Sequence, residues 1–185
     1  MGKKIILLLC LILTSVYSYS QEFQKEGLLK AYLTISPAMM LENESQPFYF
    51  HGNLEGYTSS TISLAGDGYF YLGDLNENGL FRYHNSLFAG FNWHILGQGA
   101  ADLFIGAQPG ISFTTLRSQG KEQRQGINPL ASLNVGFNHF LNEYFNFFIL
   151  GKTVFGRHAT HEAHSLNEVR LSAGLGFSLP VKRGE

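Results

Sequence analysis

Hydrophobic and polar residues alternate along eight stretches of the chain. In the last stretch, residues 167–179, every second residue from Val169 to Leu179 is apolar, and the residues between them are polar or glycine. A period of two predicts a β-strand with one apolar and one polar face. Each stretch is long enough to cross a bilayer as a tilted strand. The other seven are residues 28–38, 48–57, 61–73, 81–95, 101–115, 127–140 and 144–155.

The connections between these stretches alternate in length. Short turns follow the second, fourth and sixth stretches. Long polar connections follow the first, third, fifth and seventh, at residues 41–47, 74–79, 116–126 and 157–165. This asymmetry is typical of outer-membrane barrels. We therefore predict an all-β fold, an eight-stranded antiparallel up-and-down transmembrane β-barrel. Pro37 and Pro109 fall near or within predicted strands. They are expected to weaken the backbone ladder locally, because proline has no N–H to donate.

Charged residues within the strands occur only on the polar faces. An Arg or Lys facing hydrocarbon at mid-depth costs about 2–4 kcal/mol, so the apolar faces are predicted to meet lipid. An eight-stranded barrel has an interior that side chains just fill, and buried charges need partners there. We therefore predict a balanced network of four acids and four bases inside the barrel: Lys30, Glu55, Asp67, Arg82, Asp102, Lys152, Glu168 and Arg170.

Aromatic residues of the apolar faces are sorted by depth. Phe50 and Phe113 lie toward the long connections, whereas Trp93 and Phe177 lie toward the short turns. The residues between these two levels are mainly aliphatic or small. Two aromatic belts around an aliphatic waist are typical of barrels that span a membrane.

The first twenty residues have the pattern of a secretory signal peptide. Lys3 and Lys4 precede an apolar core from Ile5 to Leu13, and small residues precede Gln21. The apolar core is too short to span a bilayer as a helix. We predict a signal peptide at 1–20 with cleavage after Ser20, followed by one barrel domain at 21–185.

Cleavage at this point changes the composition. It removes Cys10, the one cysteine of the chain, so no disulfide is expected. It also removes Lys3 and Lys4, which leaves 11 basic against 14 acidic residues and a net charge of −3. A chain without a concentrated basic face is not expected to bind nucleic acid.

In this pattern of strands, connections and belts, residues 27–181 resemble the small eight-stranded outer-membrane barrels of the OmpX and OmpA-transmembrane-domain type. The resemblance includes the final alternating segment Leu171–Phe177. It implies a protein of the outer membrane of a Gram-negative-type cell, surrounded by outer-membrane lipid. It further implies a structural or surface-interaction role, with the outward loops as the contact surface for an extracellular partner. No cofactor is predicted.

The last long connection contains three candidate metal ligands, His158, His161 and His164. Histidines in a loop are able to collect a transition metal. The spacing from His161 to His164 is one residue short of the helical zinc-protease pattern. A solvated surface loop is therefore the favoured interpretation.

Two alternative functions remain open at this point. His164, Ser165 and Glu168 contain the residue types of a Ser–His–acid hydrolase, such as a lipid A deacylase-like enzyme. Adjacent strand residues point to opposite faces, so the sequence favours a non-enzymatic role over this one. The second alternative is a soluble periplasmic barrel that binds a small apolar ligand inside an apolar lumen.

Overall fold

A computed structural model describes residues 26–76, 79–96, 99–116, 125–159 and 161–180, with backbone alone at 161–163 and 180. The predicted signal peptide and residues 117–124 of the third long connection lie outside these ranges. Within them, no helix is long and apolar enough to cross a membrane. The strands are β1 Leu28–Met40, β2 Pro47–Tyr57, β3 Ile62–Asp74, β4 Phe81–His94, β5 Ala101–Leu116, β6 Gln125–Phe140, β7 Phe145–His158, β8 His161–Ser165 and β9 Glu168–Pro180.

Eight of these strands form a closed ring. Each strand from β1 to β7 pairs antiparallel with the next, β7 also pairs with β9, and β9 returns to β1. The short strand β8 pairs only with β7 among the described strands. The predicted fold class, a closed eight-stranded antiparallel barrel, is thus confirmed. Leu28 lies opposite Pro180. We call the end of the barrel that contains this pair and the short turns the turn end, and the opposite end the loop end.

The side chains alternate between an apolar outer surface and a mainly polar lumen. On β1, Leu33 is 67% exposed, whereas its neighbour Tyr32 is buried. The same alternation runs through the other ring strands. Soluble monomers rarely expose continuous apolar surface on this scale. The outward direction of the apolar faces is therefore confirmed. The lumen is mainly polar, so the structure gives no support to the second alternative, a soluble barrel with an apolar interior.

The ladder between neighbouring strands is interrupted where the prolines lie. Between β4 and β5, residues 89–90 and 108–109 are unpaired, at Pro109. Between β1 and β9, residues 33–37 and 171–175 are unpaired, and Pro37 ends this stretch. The predicted local weakening is thus found at both prolines.

The structure contradicts the predicted position of one charged residue. Arg82 was expected in the lumen, but its side chain is exposed. The register of β4 against β5 shifts between Phe81 and Tyr83, which indicates a bulge. A bulge places an extra residue in one strand and changes the alternation. Phe81 therefore faces inward, Arg82 and Tyr83 are both exposed, and His84 is buried again.

The fourth long connection also differs from the prediction. Residues 157–165 were expected as a loop, but β7 continues to His158 and β8 turns back along it. Arg157 lies opposite Ser165, and His158 lies opposite His161. We call this pair of segments the β7–β8 hairpin. It extends the barrel wall at the loop end.

Candidate functional site

The lumen contains the remaining seven charged residues of the predicted network. All seven side chains are buried, and each belongs to one of three groups that follow one another from the turn end to the loop end. Every group combines a basic residue, an acid and a histidine. The turn-end layer is Lys30, Glu55, His94 and Asp102, the middle layer is His51, Asp67 and Lys152, and the loop-end layer is His84, Glu168 and Arg170.

The turn-end layer is a continuous chain of polar contacts. Lys30 Nζ lies 2.6 Å from Glu55 Oε2, and Ser63 Oγ donates to Glu55 Oε1 at 2.5 Å. Ser63 Oγ also contacts His94 Nε2 at 2.8 Å. His94 Nδ1 is 2.9 Å from Asp102 Oδ2, to which Asn138 Nδ2 donates at 2.8 Å. The two carboxylates thus share the histidine between them.

His94 lies between two hydrogen-bond partners. The single proton of the Ser63 hydroxyl goes to Glu55, so Ser63 Oγ accepts from His94 Nε2–H. The Asp102 carboxylate accepts from Nδ1–H. His51 is placed in the same way, between Ser172 Oγ and Asp67 Oδ1.

The middle layer is organised around Asp67. Lys152 Nζ lies 2.9 Å from Asp67 Oδ2, and His51 Nε2 lies 2.8 Å from Asp67 Oδ1. Lys152 also donates to Gln108 Oε1 and lies 4.7 Å from the centre of the Phe88 ring. Charge-assisted bonds and a cation–π contact together stabilise an ammonium group that water does not reach.

The loop-end layer is organised around Glu168. Arg170 Nη2 donates to Glu168 Oε1, and Tyr49 OH donates to Glu168 Oε2 at 2.9 Å. Tyr49 OH also lies 2.9 Å from His84 Nδ1. The Arg170 guanidinium lies 4.5 Å from the Tyr49 ring and 4.2 Å from the Tyr69 ring. Both bonding partners of Glu168, Arg170 and Tyr49, are thus held in place by aromatic rings packed around them.

Apolar side chains close both ends of the polar lumen. Leu28, Tyr57 and Phe140 form a buried cluster at the turn end. A second buried cluster closes the loop end, and we call it the loop-end plug: Met40, Phe81, Leu116, Leu130, Val154 and Leu166. Between the layers, one cavity of about 10 Å³ is lined by Asn53, Asn92 and Asn134. That is room for about one water molecule. The described side chains thus pack the lumen between two apolar clusters.

Asp74 joins the first two long connections at the loop end. Its carboxylate accepts from Ser45 Oγ, from the Gln46 backbone N–H at 3.1 Å and from the Asn76 backbone N–H at 2.9 Å. The Leu75 N–H donates to the Gln46 carbonyl at 3.0 Å. The two connections are thus one hydrogen-bonded unit.

Asn167 joins the β7–β8 hairpin to the first connection. Its Nδ2 donates to Glu42 Oε1 at 2.9 Å, and its carbonyl accepts from the Leu41 N–H at 2.9 Å. The Gly156 N–H donates to Asn167 Oδ1 at 3.0 Å. The preceding residue, Leu166, is fully buried in the loop-end plug. The described parts of three of the four long connections are therefore joined in one hydrogen-bonded surface.

The structure describes the side chains of two of the three histidines that were considered as metal ligands. His158 is buried and lies close to Gly126, and His164 is half-buried. The side chain of His161 lies outside the described residues. Among described residues, no three His, Cys, Asp or Glu side chains gather in a way that would hold a metal ion.

The residues of the hydrolase alternative have other contacts. Glu168 is buried and bonded to Arg170 and Tyr49. Ser165 Oγ accepts from the Asn167 N–H at 3.1 Å. A Ser–His–acid triad needs its acid to orient the imidazole. Both carboxylate oxygens of Glu168 bond to other residues, so the geometry gives this alternative no support.

Two features of the lumen were not predicted from the sequence. His51, His84 and His94 lie on polar faces in the sequence, but their part in the ion pairs was not predicted. The apolar clusters at the two ends of the lumen were also not predicted, although Phe81 and Phe140 are apolar residues at inward-facing strand ends. That signal was present in the sequence. Leu166 lies between two strands, where alternation gives no prediction.

Comparisons with known proteins agree on the fold. No protein-family model and no curated protein matches the sequence. Among solved structures, OprG from Pseudomonas aeruginosa matches with a TM-score of 0.64 at 10% identity, covering 85% of this chain and 98% of its own. Neisserial surface protein A matches with a TM-score of 0.60 at 10% identity, covering 83% and 96%. Ail, the attachment invasion locus protein of Yersinia pestis, was solved with the heparin analogue sucrose octasulfate. It matches with a TM-score of 0.58 at 12% identity, covering 83% and 99%. The chain thus has the fold of the small eight-stranded outer-membrane β-barrels.

Proposed function

We propose that this chain is an outer-membrane protein whose sealed barrel holds a fixed surface outside the cell for contact with a partner protein. The observation that carries the proposal is the lumen, which is ion-paired along its length and closed at both ends. A barrel filled in this way is not suited to transport. Its apolar outer surface suits the bilayer, and the loop end then remains as the part free to act.

The composition of the loop end favours a protein partner. Leu41 and Leu75 are 51% and 67% exposed, although each lies in a hydrogen-bonded connection. Exposed acids such as Glu44 and exposed bases such as Arg82 and Arg157 both occur at the loop end. Apolar anchors within a polar rim of mixed charge are typical of protein interfaces. The described parts of the first, second and fourth connections are hydrogen-bonded to one another, so little of their conformational entropy is lost on binding.

The sealed lumen predicts a negligible conductance. In a planar bilayer, the protein is expected to give no stable channel, because apolar plugs and buried ion pairs leave no aqueous path. Single-channel recording checks this expectation. Long-lived, porin-like currents from the folded protein would contradict the sealed barrel.

Cysteine labelling on intact cells tests the location and the orientation together. Residues 21–185 contain no cysteine, so single cysteines introduced there report one position each. A membrane-impermeant maleimide is expected to label Leu75→Cys on intact cells. The matched variant Ser60→Cys, exposed at the turn end, is expected to react only after the outer membrane is made permeable. The reverse order, or no reaction of Leu75→Cys on intact cells, would refute the proposed surface role.

A further inference from the structure

The small cavity of the lumen lies between two charged layers. Its lining includes Glu55 of the turn-end layer and Asp67 of the middle layer, and we call it the interlayer cavity. The rings of Tyr32, Phe104 and Phe148 form its apolar part. Its volume of about 10 Å³ corresponds to about one water-sized sphere. A ligand of this cavity must therefore be very small.

The two carboxylates determine how the asparagine amides around the cavity are oriented. An ionised carboxylate only accepts hydrogen bonds, so the Nδ2 end of an amide must face it. Asn53 Nδ2 donates to Asp67 Oδ1 at 3.0 Å, and Asn92 Nδ2 donates to Glu55 Oε1 at 2.6 Å. Asn92 Oδ1 then accepts from Asn134 Nδ2 at 2.8 Å. Each of the three amides therefore has one orientation.

This orientation leaves two acceptor oxygens that need a donor. Asn53 Oδ1 and Asn134 Oδ1 are both buried, and no described residue donates a hydrogen bond to either atom. Both side chains line the interlayer cavity, and Asn134 is only 6% exposed. They come from β2 and β6, which lie on opposite sides of the ring. Because a buried acceptor without a donor is destabilising, the two oxygens favour a ligand that donates two hydrogen bonds.

We infer that the interlayer cavity binds one water molecule, which donates one hydrogen bond to Asn53 Oδ1 and one to Asn134 Oδ1. Water has the required size and the two hydrogens. A hard metal cation fits less well, because it takes about six or more oxygen ligands and only two acceptors remain here. Lys30 and Lys152 also disfavour a cation, since their ammonium groups already pair with Glu55 and Asp67.

The bound water joins the turn-end layer to the middle layer. From Glu55, hydrogen bonds run through Asn92 and Asn134 to the water. From the water they continue through Asn53 to Asp67. The water is thus a structural part of the lumen, and it links two buried ion pairs in one hydrogen-bonded network. This inference concerns the filling of the barrel and does not depend on a partner protein.

A high-resolution crystal structure of the unmodified protein tests the site directly. One peak of electron density is expected in the interlayer cavity, about 2.6–3.0 Å from both Asn53 Oδ1 and Asn134 Oδ1. A peak with several oxygens within about 2.0–2.6 Å would identify a cation and overturn the inference. The absence of a peak, or amides that turn to meet protein donors, would also overturn it.

A double-mutant cycle tests whether one water bonds to both residues. Asn53→Ala and Asn134→Ala each remove one acceptor, and the Nδ2 atoms of the two residues donate to other partners. The double variant is expected to change the equilibrium constant of unfolding by about three- to tenfold less or more than the product of the single effects. Urea titration in lipid vesicles measures this difference. Agreement within about twofold, as found for independent sites, would overturn the shared water.

Asn138 provides the matched control cycle. It lines the same cavity, and its Nδ2 donates to Asp102 Oδ2 at 2.8 Å. Its Oδ1 already accepts from Asn146 Nδ2 at 3.4 Å, so it is not expected to bond to the water. Asn53→Ala combined with Asn138→Ala is expected to be additive within about twofold. Equal coupling in both cycles would contradict a water shared by Asn53 and Asn134. If a variant does not fold, the crystal structure of the unmodified protein decides the question.

Discussion

Replacing Lys152 by Met is expected to lower the free energy of unfolding by about 3–5 kcal/mol, the usual cost of leaving a buried charge without its partner. Lys152 Nζ lies 2.9 Å from Asp67 Oδ2, and both side chains are almost completely buried. Methionine keeps the length and the apolar stem but removes the charge. Asp67 then retains His51 and Asn53, which do not replace a full positive charge. Urea titration in lipid vesicles, followed by the fluorescence of Trp93, measures the change.

Two controls separate the ion pair from general damage. Arg82→Met removes a base from an exposed side chain and is expected to change stability by about 0.5 kcal/mol or less. The double variant Lys152→Met with Asp67→Asn removes both charges, so it is expected to be more stable than Lys152→Met alone. A double variant as unstable as the sum of its two single variants would contradict the proposed coupling.

Replacing Leu133 by Arg is expected to destabilise the inserted barrel by about 2–4 kcal/mol, the cost of a lipid-facing arginine near the bilayer midplane. Leu133 lies near the middle of β6 on the outer surface and is 58% exposed. No acid is available on that surface of the neighbouring strands, where Ala107 and Thr153 lie opposite Leu133. Folding yield and urea stability in vesicles measure the effect.

Leu75→Arg is the matched control for this substitution. Leu75 is 67% exposed, but it lies in a connection at the loop end, beyond the barrel wall. A new arginine there meets water, so insertion and stability are expected to remain close to those of the unmodified protein. Equal losses for the two variants would mean that the outer surface at Leu133 does not face hydrocarbon.

The wall of the barrel was predictable because each strand repeats the same local alternation of apolar and polar residues. Alternation with a period of two decides which face of a strand is apolar, and it holds for long runs such as Val169 to Leu179. The seven buried charges followed from the same rule. The position of Arg82 did not follow from this rule, because a bulge at Phe81 changes the alternation. No residue pattern in this stretch predicts the bulge.

The site depends on distances that alternation does not determine. Lys152 contacts Asp67 because β7 and β3 lie on opposite sides of the ring and face each other across the lumen. Leu166 reaches the loop-end plug because the β7–β8 hairpin turns it inward. Such contacts depend on register and closure of the whole ring. A single sequence shows which face each residue occupies, but not its partner across the lumen.

The fluorescence of Trp93 gives the most direct measurement of whether the apolar outer surface meets lipid. Trp93 is the only tryptophan of the chain, so the unmodified protein can be used. It is 55% exposed on the outer surface near the turn end. In vesicles of lipids brominated near the headgroup end of their chains, its emission is expected to be strongly quenched, while aqueous acrylamide has little effect. Strong quenching by acrylamide with none by the brominated lipids would contradict the account.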